Sequence, residues 1–226
     1  KRETEIQATL FDEPVDEKTI SDVPHQYHTV TTADERTALI ELLSQQKSFC
    51  FDTETTGLDP RDARPLGLAF SVRPAEAYYV VLPEDPEPAS AVLKEFEPVF
   101  ANHAIGKVGH NLKYDLTLLK WHGIDVQGDI FDTMLAHSMK EPEMRHGLDY
   151  LAKLYLGYVP IATSELIGEK GENQKCMSEV PLEKLADYAC EDADVTLQIA
   201  NLIRPEIEAQ GTSQVCNEVE CPLIPV

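Results

Sequence analysis

Two carboxylates one residue apart, Asp52 and Glu54, close an apolar segment and are followed at once by the turn-forming run Thr55-Thr56-Gly57-Leu58-Asp59-Pro60. Period-two spacing puts both on one face of an extended strand. Like charges held that close repel, so the pair gains stability only from a shared proton or a cation, and it reads as a divalent-metal site. A solvated strand face is the bland alternative, and for an arbitrary Asp-x-Glu the better one. Position favours the metal reading: Ser48-Phe49-Cys50-Phe51 has the pattern of a buried strand, and open α/β sheets take their ligands beyond the carboxyl ends of strands.

Two further acidic positions stand at comparable places. Gly109-His110-Asn111-Leu112-Lys113-Tyr114-Asp115 follows a predicted strand, so Asp115 falls one helical turn past its end. Asn111 there could cap the helix or, with Tyr114, meet a substrate. In Tyr188-Ala189-Cys190-Glu191-Asp192-Ala193-Asp194, Tyr188 and Asp192 lie four apart and share one helix face. Glu191 and Asp194 point elsewhere and read as surface charges.

The elements that must position these groups follow from hydropathy patterning. Residues 1–25 are polar and acidic and read as a linker or loose arm. After a β-prone segment at 27–30, Thr32 with Glu35 three positions later forms a capping box opening a helix to about Gln46. Strands at 48–53, 66–72 and 77–82 form an antiparallel meander. An acidic, proline-rich loop at 83–88 precedes a helix over 90–103. A strand at 105–110 leads to a helix at 112–121, and one at 128–131 to a helix at 132–140. From Gly147 the chain is helical apart from a loop at 157–175, and the last long helix runs from about Pro181 to about Glu208. The expectation is an α/β fold with a mixed five-stranded sheet flanked by helices. The piece after Gly211 has no evident partner.

Composition sets outer limits. The 226 residues are 42% hydrophobic and 26% charged, which suits one globular domain with tails. No apolar run approaches the ~18 residues of a membrane span, and no secretory leader opens the chain, so no membrane partner and a cytoplasmic location are expected. The start at Lys1 and the stop at Val226 read as cuts in a longer chain. Five cysteines without C-x-x-C spacing indicate reduced thiols, with Cys50 and Cys190 inside. The formal charge of −21 argues against a free-standing nucleic-acid binder; a polyanion would have to be met locally, by metal ions and a few basic side chains.

Taken together, the acidic motifs resemble the superfamily of exonucleases built on four acidic residues, in the branch with a tyrosine before the last. The chain is similar in particular to the 3′→5′ proofreading exonuclease domain of bacterial family A DNA polymerases, the DNA polymerase I group. The resemblance extends from about Tyr27 onward through Phe131-Asp132-Thr133-Met134-Leu135, Arg145-His146-Gly147-Leu148-Asp149, Gly171-Glu172-Asn173-Gln174 and Glu191-Asp192-Ala193-Asp194-Val195-Thr196-Leu197. It implies a ribonuclease H-like fold over 26–210, with 211–226 as the start of a truncated polymerase domain. It further implies two divalent ions, Mg2+ or Mn2+, held by Asp52, Glu54, Asp115 and Asp192, with Tyr188 assisting the attacking water. DNA contacts would fall to Leu58, His110, Asn111, Tyr114 and Arg145. The implied substrate is a single-stranded or frayed DNA 3′ end in a bacterial cytoplasm, the partner is the polymerase domain of the same full-length chain, and the products are 5′-mononucleotides. Two departures stand out: His110 replaces the Gln of some relatives, and the loop 161–166 lacks their base-stacking aromatic. A structural module with little activity and an RNA-trimming exonuclease are the competing readings.

Overall fold

The computed structural model describes residues 17–224. Most of the expected arm at 1–25 lies outside them. Its described part is tied down: Lys18 donates to Gly157 O at 3.1 Å and accepts from Val159 N at 2.8 Å.

One mixed sheet organises the chain. Its strands are β1 (Gln26–Val30), β2 (Ser48–Thr55), β3 (Pro65–Arg73), β4 (Glu76–Val81), β5 (Gly106–Gly109) and β6 (Ile130–Asp132). They lie in the order β1-β4-β3-β2-β5-β6. The β2-β3-β4 meander is antiparallel, whereas β1 on β4, β5 on β2 and β6 on β5 are parallel. Among the described residues the sheet therefore has six strands, not five. The segment at 27–30 is the sixth, paired with a strand almost fifty residues later. A short edge strand with only Val30 buried carries too little alternation to be told from an extended lead-in.

Helices cover both faces. α1 (Ala33–Ser44) opens with the expected capping box: Thr32 Oγ1 accepts from Glu35 N at 3.3 Å and Glu35 Oε2 accepts from Thr32 N at 2.9 Å. α2 (Pro86–Glu95) starts inside the predicted loop, because Pro86 stands in the first turn, where no N–H is needed. It gives way at Phe96 to α3 (Glu97–Phe100), which Pro98 opens in the same way. α4 (Lys113–Trp121), α5 (Thr133–Lys140), α6 (Leu148–Leu156) and the short α7 (Thr163–Ile167) lead to α8 (Leu182–Ala209).

Strand alternation sorts the core into two layers. Phe49, Phe51 and Phe70 pack with Phe96 and Phe100 and with Leu39 and Leu43 of α1. Each such side chain removed from water contributes about 1.5–3 kcal/mol. On the other face Ala69, Ala77 and Tyr79 meet Ala186, Ala189, Cys190 and Ala193 of α8. Small residues on both sides let α8 lie close to the strands.

Two expectations fail here. The segment after Gly211 has a partner in this chain: Cys216, Cys221 and Ile224 are buried in the main core, against β6 and α5. Its apolar positions are too few and too closely spaced for hydropathy to reveal a buried face. Glu191 and Asp194 are buried, not surface charges. Glu191 accepts from Tyr158 Oη and, at 2.6 Å, from Ile161 N. Asp194 accepts from Tyr27 Oη at 3.0 Å, Ala75 N at 2.9 Å and Gln198 Nε2 at 3.0 Å. Fully partnered carboxylates can be buried, and helix spacing alone does not disclose the partners.

Candidate active site

Asp52 and Glu54 lie in the C-terminal half of β2 on the face covered by α8, with a register shift between Glu54 and Thr55 near the strand's end. Such irregularities end pairing and re-aim side chains. Asp192 and Tyr188 come down onto the same strand end from α8. Asp115, in the first turn of α4, reaches it from the other face. Thr53, whose side chain alternates to that face, donates to Asp115 Oδ1 from its N–H at 3.0 Å and from its hydroxyl at 2.5 Å. All four predicted carboxylates and the tyrosine thus assemble from three elements.

Their electrostatics are those of crowded acids. Burial, then the charge of Asp192, pushes the Asp52 carboxyl up to about 8. Asp192 rises to about 7 through burial and the neighbouring Glu191. Glu54 and Asp115 lie well above the usual carboxylate range, through burial first and the charge of Asp52 second. None of the ion pairs among the described residues involves any of the four. Nor does any group of three or more His, Cys, Asp or Glu among the described residues close tightly enough to enclose an ion by itself. An all-oxygen donor set of four acids, partly buried and lacking a cationic side chain among the described residues, fits hard divalent ions such as Mg2+ or Mn2+, which would displace the protons.

Tyr188 is half-buried beside Asp192, and burial followed by the charges of Asp192 and Glu54 keeps its phenol protonated. Its hydroxyl lies 3.1 Å from Thr163 Oγ1 at the start of α7. Tyr188 and Asp192 line a 530 Å3 crevice together with 159–163, Leu148, Asp149 and Lys153.

The remaining predicted contact residues divide by environment. Leu58 is 93% exposed and is no core leucine. Its loop is pinned: Tyr114 Oη donates to Gly57 O at 2.6 Å and lies 2.6 Å from Thr55 Oγ1, while Arg64 N donates to Thr56 Oγ1 at 2.9 Å. Asn111 is exposed in the left-handed region, φ 58°, and is not the helix cap. Asp132 receives the N–H groups of Asn111 and Leu112 at 3.1 and 2.7 Å, as well as those of Met134 and Leu135 in its own helix. Sequence reasoning passed over Asp132, although Asp before a helix is a legible cap signal. Arg145 is exposed and in none of the described ion pairs. His110 turns inward: its Nδ1 lies 2.8 Å from Thr133 Oγ1, and burial lowers its pKa to about 4.

Comparison with known proteins gives a consistent picture. The model of the 3′-5′ exonuclease family matches residues 27–208. DNA polymerase I of Pseudomonas aeruginosa is 34% identical over 199 residues, covering 84% of this chain and 22% of the relative. That of Chloroflexus aurantiacus is 35% identical over 206 residues, covering 87% and 22%. The chain thus spans about a fifth of the length of these relatives. Among solved structures, Escherichia coli RNase D superposes with a TM-score of 0.66 at 20% identity, over 88% of this chain and 50% of that one. Brucella melitensis NrnC with bound Mg2+ gives 0.65 at 18% identity, over 90% of each. These likenesses establish the ribonuclease H-like fold.

Proposed function

This chain belongs to the 3′-5′ exonuclease domain family of DNA polymerase I, and from that premise we propose that it removes 5′-mononucleotides from single-stranded or frayed DNA 3′ ends, as the proofreading part of a longer polymerase. The observation that carries this reading is the convergence of Asp52, Glu54, Asp115 and Asp192, with Tyr188, on one strand end without a cationic partner among the described residues. Asp52, Glu54 and Asp192 would hold one divalent ion, with Asp52 shared towards a second near Asp115. When bound, such ions activate a water and neutralise charge on the departing 3′ oxygen.

The chain's own groups do the positioning. Thr53 fixes Asp115 through two bonds to one oxygen, leaving the other outside that pairing. Tyr188, kept protonated, offers a hydroxyl that orients the attacking water next to Glu54 and Asp192. Leu58, displayed on a pinned loop, would wedge against the terminal base. The ring of Tyr114 would meet the terminal nucleotide through its face, because its hydroxyl is already engaged. Asn111 would contact the same nucleotide, and exposed Arg145 would meet a phosphate. The net charge of −21 suits brief holding of a strand that the polymerase domain returns to synthesis.

The test is digestion of 5′-labelled single-stranded DNA and RNA with Mg2+, Mn2+ or EDTA. Stepwise shortening from the 3′ end of DNA, abolished by EDTA, is expected. An EDTA-insensitive ladder of internal cuts contradicts the assignment.

A further inference from the structure

Tyr79 is fully buried at the centre of β4, yet its hydroxyl has no hydrogen-bond partner among the described residues. An unpaired buried O–H is costly, and a Phe would fill the same space without that cost. Its location is specific. Tyr79 pairs with Ala69 on β3, which pairs with Asp52 on β2, so Tyr79 stands on the carboxylate face of the sheet, two strands from Asp52. The ring leans over Gly67: a Cβ there would overlap the ring edge and the hydroxyl itself. Gly67 is the direct cross-strand partner of Glu54. The phenol oxygen therefore occupies the space that a side chain opposite Glu54 would fill, where cross-strand Cβ atoms stand about 4.5–5.5 Å apart. A residue without a side chain at 67 is what leaves that space open.

We propose, on the basis of the exonuclease reading above, that Tyr79 is a positioning residue for Glu54: its O–H, unpartnered in the metal-free chain, donates to the Glu54 carboxylate when that group turns to bind a divalent cation, and holds it there. The phenol keeps its proton, because burial first and the neighbouring Glu54 second oppose its ionisation. It adds a donor to a set of four acids without adding a cation that would compete with the metal. The packing of Ala189, Cys190 and Ala193 of α8 over the ring prevents it from swinging away.

The test is Mn2+ binding without nucleic acid, followed by electron paramagnetic resonance, for the wild-type chain, Tyr79→Phe, Glu54→Gln and the double variant. A lost hydrogen bond to a charged group predicts about ten-fold weaker Mn2+ binding in Tyr79→Phe. Thermal stability of the metal-free chain should be unchanged or higher, since the deleted hydroxyl has no partner there. In the Glu54→Gln background Tyr79→Phe should have no further effect on Mn2+ binding. Wild-type affinity in Tyr79→Phe, an equal loss in the Glu54→Gln background, or a destabilised metal-free Tyr79→Phe chain would each overturn the inference. A wild-type chain that binds no Mn2+ and digests no DNA defeats the exonuclease reading itself; binding by wild type with an unaltered Tyr79→Phe defeats only the role of Tyr79.

Discussion

Thr53 lies between the two paired carboxylates of β2 but serves the third: its N–H and its hydroxyl both donate to Asp115 Oδ1, at 3.0 and 2.5 Å, across 62 residues of sequence. Strand alternation explains this. With Asp52 and Glu54 on the α8 face, Thr53 must face α4, so one tripeptide addresses carboxylates from both layers.

Replacing Thr53 by Val keeps the β-branched shape and removes only the hydroxyl. A buried carboxylate left one donor short costs about 1–3 kcal/mol, so the exonuclease rate should fall about ten-fold or more, with lower stability in urea. An unchanged single-turnover rate would mean that Asp115 needs no such anchor.

Asp52→Ala should abolish nearly all activity with the fold retained. Removal of one of several mutually repelling acids relieves that repulsion, so the variant in EDTA should be at least as stable as wild type. Circular dichroism and thermal melts check the fold, and digestion at a rate near wild type would refute the assigned centre.

Tyr188→Phe retains the ring and deletes the hydroxyl that lies 3.1 Å from Thr163 Oγ1. Positioning and acid–base assistance is typically worth about 10²–10⁴-fold. With the carboxylates intact, the rate should drop to the low end of that range or less while Mn2+ affinity holds. Loss of metal binding, or of the fold, would make Tyr188 a packing residue.

The metal-free chain should lose stability as the pH rises through neutrality. In the unfolded state Asp52 and Asp192 ionise near their ordinary value of about 4. In the folded state they do so at about 8 and about 7. Between these limits the native state binds more protons than the unfolded one, so stability falls with rising pH. Below about 6.5 the effect is opposed by His110, neutral in the fold down to about 4 and protonated when unfolded. Lys107, lowered by burial to about 8, opposes the effect in the same sense at the upper end, so the clean window is about pH 6.5–7.5. Melting in EDTA should drop across that window, less steeply in Asp52→Ala, and Mn2+ should flatten the curve. A melting temperature in EDTA that rises there would contradict the assigned burial of these carboxylates.

Much of this protein is determined by sequence alone, because the signals are local. Period-two alternation sets Asp52 and Glu54 on one face, helix spacing aligns Tyr188 with Asp192, and Thr32 with Glu35 marks the start of α1. The meander and the order of the later strands and helices follow from the same periodicities. What only the tertiary structure decided is long-range pairing. The parallel pairing of Gln26–Val30 with β4 makes a sixth strand of a segment whose β-propensity is legible but whose partner is not. Glu191 and Asp194 are buried because Tyr158, Ile161, Tyr27 and Ala75 come to meet them from distant parts of the chain. Cys216, Cys221 and Ile224 find a core that hydropathy could not assign to them. The place of the Tyr79 hydroxyl opposite Glu54 depends on an absent side chain at Gly67, a vacancy defined by three strands at once. Periodicity tells which way a side chain points from its own backbone; the partner it meets there is fixed only when the sheet registers and the helix faces close around it.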